Sequence, residues 1–170
     1  MNRITLYFAR WIVVPCFHLA IPAFGITITP PGAGGMAIPF SAVGPASVSK
    51  SGVGISCTAV FNGTVDGGGN LRITSAAFSG SSLCRVIKAN ATSLTPWTGR
   101  VDSISQLTID NASVDVRVIL VGGICGPSKI SAQITDNESE TVIGLNNANL
   151  AGNCTISGTL STTPYLHVTP

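Results

Sequence analysis

The stretch "SVDVRVILVG", Ser113 to Gly122, alternates apolar and polar residues and is the clearest structural signal in the chain. Such a period of two residues is typical of a β-strand with one buried and one exposed face. Asp115 and Arg117 belong to the exposed face. The residues that the alternation predicts on the buried face are Val114, Val116, Val118 and Leu120.

Similar patterns extend outward from this stretch in both directions. "VGISCTAVFNGTV", Val53 to Val65, and "LRITSAAF" flank the turn sequence "DGGGN", which predicts a hairpin because glycine permits positive φ. "KISAQIT" and "ETVIGL" flank "DNES" as a second hairpin, and "CTISGTLSTT" and "YLHV" are further strand candidates. No segment predicts a long helix, although "SSLCRVIKAN" could hold one turn. Many short strands and turns predict an all-β fold, an antiparallel β-sandwich or barrel.

Residues 26–50 differ from the rest because they contain four prolines. Proline cannot donate a hydrogen bond to a central β-ladder. We therefore expect this segment to be an extended arm or an edge strand. The four residues concerned are Pro30, Pro31, Pro39 and Pro45.

Residues 1–25 have the layout of a secretory signal peptide. Arg3 and Arg10 precede a mostly apolar stretch of about eleven residues, and small residues follow at Ala23 and Gly25. The apolar stretch is short for a membrane span. We predict a single secreted β domain over residues 26–170, extracellular and without stable membrane insertion once the signal is removed.

The predicted mature chain carries no net charge. Arg3 and Arg10 are two of the nine basic residues, whereas all seven acidic residues follow residue 25. A neutral chain has no electrostatic footprint for nucleic acid or for anionic lipid, so from composition we expect neither as a partner. Near-zero charge also permits self-association and adsorption to surfaces.

The predicted domain contains four cysteines, an even number that indicates disulfides in an exported protein. A weak repeat relates residues 57–84 to residues 125–154, each with a cysteine at both ends of a hairpin unit. The simplest pairing is therefore Cys57 with Cys84 and Cys125 with Cys154. Pairing Cys57 with Cys154 and Cys84 with Cys125 remains an alternative that would join the two halves.

No pattern in the predicted domain indicates a reactive site. The cysteines are too widely spaced for a zinc knuckle, and one histidine, His167, has no obvious partner in sequence. The acidic cluster Asp136, Glu138 and Glu140 falls in a predicted turn, where polar residues are ordinary. We therefore predict a protein that is not an enzyme and has no catalytic, metal-binding or cofactor-binding residues.

Several stretches resemble the alkane oxidation protein activator family (PraB-like) of secreted bacterial proteins. They are "SCTAVFNGTV", "ITSAAFSGSSLC", "GICGPSKISA" and "LNNANLAGNCTISGTLSTTP", and the resemblance extends over residues 26–170. It is most specific in "AGNCTISGTLSTTP", Ala151 to Pro164. The resemblance implies a non-enzymatic extracellular protein that promotes hydrocarbon use by emulsifying or wetting the substrate.

Such a function requires apolar side chains that contact a hydrophobic substrate or an oil–water interface. The candidates are Met36, Ile38 and Phe40 in the proline-rich segment and Trp97 in "LTPWTG". Core packing is the competing interpretation for each of them. The alternative function is an extracellular fimbrial or adhesin-type subunit, in which residues 26–50 would add a strand to a neighbouring copy.

Overall fold

A computed structural model describes residues 25–170, so all of the predicted signal peptide except Gly25 lies outside the described residues. The regular secondary structure of the described chain consists of eleven β-strands and one 3-10 helix over Ser82–Val86. None of its helices is long and apolar enough to cross a membrane. The strands are β1 Thr27–Thr29, β2 Ile38–Lys50, β3 Val53–Val65, β4 Asn70–Ser79, β5 Ile87–Ala89, β6 Trp97–Ser103, β7 Gln106–Val116, β8 Gly123–Asp136, β9 Thr141–Leu150, β10 Cys154–Thr163 and β11 His167–Thr169.

Eight of these strands form a closed antiparallel barrel. They follow the order β7-β6-β4-β3-β2-β10-β9-β8, and pairing of β8 with β7 closes the circle. The short strand β5 pairs with residues 114–116 of β7, past the residues of β7 that pair with β6. The all-β prediction is confirmed, and of its two architectures the structure has the barrel.

The strand pattern fills the barrel interior with one hydrophobic core. The alternation of β3 predicts one buried face made of Val53, Ile55, Cys57, Ala59 and Phe61. The last four are buried, whereas the prediction for Val53 is wrong, because this first residue of the strand is 44% exposed. An eight-stranded barrel is just wide enough for side chains to fill. Both predicted hairpins are present, as β3–β4 around "DGGGN" and as β8–β9 around "DNES".

Residues 38–50 correct the prediction of an extended arm or edge strand. They form β2, which lies inside the barrel wall between β3 and β10. Its two prolines fall where the ladder with β10 is not continuous. Pro45 lies between the pairs Ala46–Gly158 and Val43–Ser161, and Pro39 lies beyond Ser41, the last residue paired with β10. An interrupted ladder tolerates proline because no regular hydrogen bond is lost there.

The strand within "SVDVRVILVG" ends earlier than its alternating pattern predicts. β7 stops at Val116, and the chain turns through residues 117–122 before β8 begins. Val114 and Val116 are buried as predicted, and Val118 packs partly against the core. The prediction for Leu120 is wrong, because its side chain is 99% exposed.

The two ends of the barrel differ in construction. At one end, called here the capped end, β1 and β11 pair as a small separate sheet. Ile28, Leu166 and Val168 are buried there, and the Thr141 hydroxyl donates to the Leu166 carbonyl at 2.6 Å. The opposite end, called here the disulfide end, carries the turns between β2 and β3, β7 and β8, and β9 and β10.

Candidate functional site

Two disulfides fix the disulfide end. Cys57 pairs with Cys84 and Cys125 with Cys154, with Cα atoms 5.7 and 5.8 Å apart. The pairing predicted from the repeat is therefore confirmed. The first bridge attaches the 3-10 helix to β3, and the second attaches the start of β8 to the start of β10.

Hydrogen bonds connect the turns of this end to one another. The Lys50 ammonium donates to the Gly152 carbonyl at 2.9 Å, joining the β2–β3 turn to the β9–β10 turn. The Ser51 amide donates to the Asn153 carbonyl at 2.9 Å across the same gap. On the far side, the Arg117 amide donates to the Val86 carbonyl at 2.9 Å. The turns thus form a braced rim around the barrel mouth.

Large aliphatic side chains project from this rim into solvent. Isolated exposed apolar residues are ordinary, but a cluster of them marks an interaction surface. We call this set the aliphatic rim. Its members, with the exposed fraction of each residue, are Val53 44%, Leu83 53%, Ile119 87%, Leu120 99% and Ile124 60%.

The tip of the aliphatic rim is the pair Ile119 and Leu120 in the β7–β8 turn. Leu120 has φ of 75°, a left-handed conformation that side chains other than glycine, asparagine and aspartate rarely adopt. A fully exposed leucine in this conformation gains nothing from packing. Residues in such conformations cluster at functional sites.

Sequence reasoning missed this pair because "VRVILV" continues a strand pattern through Leu120. The signal that could have placed the turn is the following Gly122–Gly123, since glycine pairs mark turns. Gly123 has φ of 129°, which favours glycine.

Basic side chains accompany the aliphatic rim. Arg85 and Lys88 are exposed, in the 3-10 helix and in β5. The Arg117 guanidinium forms an ion pair with Asp115 at 2.7 Å and remains 64% exposed at its side chain. The rim therefore presents apolar surface bordered by positive charge.

The four contact candidates from the sequence occupy different environments. Met36 is 88% exposed near the capped end, and Ile38 is partly buried against the core. Phe40 and Trp97 are core residues, 4% and 3% exposed, and the Trp97 ring packs edge-on against Phe61 with centroids 5.8 Å apart. Burial favours the packing interpretation of Phe40 and Trp97. Contact with a hydrophobic substrate stays a prediction, and among these four Met36 is the most accessible for it.

His167 has the partner that the sequence did not reveal. Its Nδ1 lies 2.6 Å from the Asp136 carboxylate and 3.2 Å from the Tyr165 hydroxyl. The same carboxylate accepts hydrogen bonds from the Tyr165 hydroxyl and, at 2.8 Å, from the Val168 amide. This cluster ties β11 to the end of β8 and so closes the capped end.

The cluster shifts two pKa values. Burial alone would raise the pKa of Asp136, but the hydrogen bonds from Tyr165 and Val168, with His167 nearby, lower it overall. The hydrogen bond to the Asp136 carboxylate raises the pKa of Tyr165 to about 12. Glu138 and Glu140 are exposed in the adjoining turn, and no group of three or more possible metal ligands occurs within residues 25–170. The geometry of this cluster is that of a structural anchor.

Comparison with known protein families gives a match over the whole sequence. A family model described as alkane oxidation protein activator PraA/PraB-like matches residues 1–170. No significant match was found among curated proteins or among solved structures.

Proposed function

Because the chain belongs to the PraA/PraB-like family of alkane oxidation protein activators, we propose that it acts physically, by adsorbing to hydrocarbon and emulsifying or wetting it. In this proposal it is a secreted, extracellular protein and not an enzyme. The observation that carries the proposal is the aliphatic rim. Five large aliphatic side chains stay in solvent at one end of a braced barrel.

The energetics of the rim support adsorption. Fully burying one leucine or isoleucine side chain contributes about 1.5–3 kcal/mol, so Ile119 and Leu120 together would contribute about 3–6 kcal/mol. The barrel core need not open for this contact, because these side chains are already outside it. The two disulfides brace the turns that carry the rim, which favours adsorption of the folded protein.

The experiment compares two pairs of exposed aliphatic residues. We expect Ile119→Ser with Leu120→Ser to weaken adsorption to hexadecane, measured as the fall in interfacial tension per protein concentration. The control is Met36→Ser with Leu94→Ser, which removes side chains that are 88% and 92% exposed elsewhere on the molecule. Both variants should keep the wild-type melting temperature, because exposed substitutions usually change stability by less than about 0.5 kcal/mol.

Two outcomes would contradict the proposal. If wild-type protein leaves the interfacial tension of hexadecane unchanged, emulsification is wrong. If the Met36 and Leu94 variant loses adsorption while the Ile119 and Leu120 variant keeps it, the contact surface lies outside the aliphatic rim and includes Met36 or Leu94.

The alternative function, a fimbrial subunit that assembles by strand addition, has less support. Residues 38–50 are already paired with β3 and β10 of their own chain, so within the described residues they do not form a free arm. A closed barrel also presents no long open edge to a donated strand.

A further inference from the structure

The charged residues of the described chain are segregated by end. The disulfide end carries four basic residues and one acidic residue, so its net charge is +3. The acidic residue, Asp115, is already paired with Arg117. The basic residues are Lys50, Arg85, Lys88 and Arg117.

The capped end has the opposite charge. Five acidic residues lie in its turns and strand ends, against two basic residues, which gives a net charge of −3. A single pair, Lys129 with Asp110 at 3.6 Å, lies between the ends and is neutral. The acidic residues are Asp66, Asp102, Asp136, Glu138 and Glu140, and the basic ones are Arg72 and Arg100.

Because the two charged ends are far apart, the charge of one end has little effect on a partner bound at the other. Barrel strands of this length, tilted by about 40°, span roughly 30 Å along the axis. Screening in physiological salt reduces charge interactions beyond about 8 Å. A partner at the disulfide end therefore meets positive charge and exposed aliphatics together, although the whole domain is neutral.

We propose that the disulfide end docks on anionic lipid surfaces, with the exposed Arg85 and Lys88 against the headgroups and Ile119 and Leu120 of the aliphatic rim in the apolar layer. The proposal rests on the proposed function in using the same surface, and it adds the chemistry of the preferred partner, an apolar layer bearing negative charge. Basic residues at such a surface each strengthen binding about fivefold. Docking is peripheral, because only side chains of the rim enter the apolar layer.

A second copy of this chain would also offer negative charge, at its capped end, but most of those carboxylates already have partners. Asp66 accepts hydrogen bonds from Asn70 and the Gly68 amide. Asp136 accepts from Tyr165 and Val168, and Glu140 accepts from Ser161 at 3.0 Å. A lipid headgroup carries no such intramolecular bonds, so the positive end gains more from lipid than from another barrel.

The test is co-sedimentation with lipid vesicles. Wild-type protein should bind vesicles that contain phosphatidylglycerol more tightly than vesicles of phosphatidylcholine alone, and added salt should weaken this binding. Arg85→Gln with Lys88→Gln should reduce the affinity for anionic vesicles about 30-fold, since two basic residues are removed. The matched control, Arg72→Gln with Lys129→Gln, removes the same charge away from the disulfide end and should bind as wild type does.

The outcomes that would overturn the proposal are specific. Equal binding to neutral and anionic vesicles would show that charge does not contribute to binding. An equal loss of affinity in both variants would show that the disulfide end is not the binding surface. Salt-sensitive head-to-tail oligomers in sedimentation velocity, without vesicle binding, would make a second copy the partner.

The same measurements test the proposed function independently of the lipid proposal. Wild-type protein that lowers the interfacial tension of hexadecane but ignores anionic vesicles contradicts the lipid proposal alone. Wild-type protein that binds anionic vesicles but does not adsorb to hexadecane contradicts emulsification alone.

Discussion

Asp136 is the residue that holds the last strand of the chain to the barrel. Its carboxylate accepts hydrogen bonds from Tyr165 and Val168 and lies 2.6 Å from the ring of His167. Burial alone would raise the pKa of Asp136, but these contacts lower it below the ordinary value for an aspartate. A carboxyl with a depressed pKa stabilises the fold above its unfolded pKa, and that stability is lost as the pH falls through the folded pKa.

We therefore expect Asp136→Asn to lower the melting temperature at pH 7. Below about pH 4, the melting temperature of this variant should fall less than that of the wild type. Thermal melts over a series of pH values measure both effects. Glu138→Gln in the adjoining exposed turn is the control and should melt as wild type does at pH 7. A wild-type melting temperature for Asp136→Asn at pH 7 would mean that this carboxylate does not hold the capped end.

At the residue scale, burial within a strand could be predicted from the sequence, but exposure in a turn of the aliphatic rim could not. Burial of Val114 and Val116 follows from local alternation alone. Exposure of Leu120 depends on where the chain turns, and "VRVILV" fits a strand as well as a turn. The partner of His167 also lies 31 residues away in sequence, at Asp136, so only the fold brings them together.

At the scale of elements, the hairpins were predictable and the barrel neighbours were not. The β3–β4 hairpin is encoded by two alternating segments and a glycine turn that adjoin in sequence. The placement of β2 against β10 joins segments more than a hundred residues apart, as in the pair Ala46–Gly158. Its prolines indicated an edge, because sequence does not show where a ladder is interrupted.

The turn "DGGGN" also has a tertiary role that its hairpin pattern does not reveal. The Gly67 carbonyl accepts from the Ile28 amide at 3.0 Å, and the Gly67 amide donates to the Gly35 carbonyl at 3.2 Å. A Cβ at Gly67 would lie 1.7 Å from the Gly32 carbonyl oxygen. The turn therefore serves as the docking surface for the segment between β1 and β2.

We predict that Gly67→Ala displaces this segment and destabilises the protein by about 1–3 kcal/mol, as overpacking does. Gly68→Ala is the matched control, because a Cβ there would meet nothing closer than the Asp66 carboxylate at 3.5 Å. Urea unfolding gives the stability, and hydrogen exchange of the Ile28 amide reports the local contact. Equal stability of the two variants, with the Ile28 amide still protected, would show that residues 28–35 adjust to the extra methyl group.

At the scale of the whole molecule, the barrel is closed and its two ends carry opposite net charges. Each barrel strand has neighbours on both sides, so a long open edge does not arise in the described chain. The net neutrality read from composition conceals a positive end and a negative end. Composition predicts overall charge correctly, but the distribution of that charge follows from which turns the topology brings to each end.

The two disulfides stabilise the molecule through the unfolded chain as a whole. They close loops with sequence separations of 27 and 29 residues, so the chain-entropy model assigns each about 3–4 kcal/mol. Because a domain has a net stability of about 5–15 kcal/mol, losing either bridge removes a large fraction of it. We expect Cys57→Ala with Cys84→Ala and Cys125→Ala with Cys154→Ala to lower the free energy of unfolding by similar amounts.

Urea unfolding separates this effect from lost packing. Removing a crosslink lets the unfolded chain expand and expose more surface, so the slope of the free energy against urea should rise in each variant. The bridge between Cys125 and Cys154 also lies beside the Lys50 ammonium, which donates to Gly152. If loss of that bridge disturbs the rim, adsorption to hexadecane should weaken even in urea-free buffer where the variant stays folded. A variant that lacks either bridge yet unfolds at the wild-type urea concentration, with the same slope, would contradict the stabilising role of that bridge.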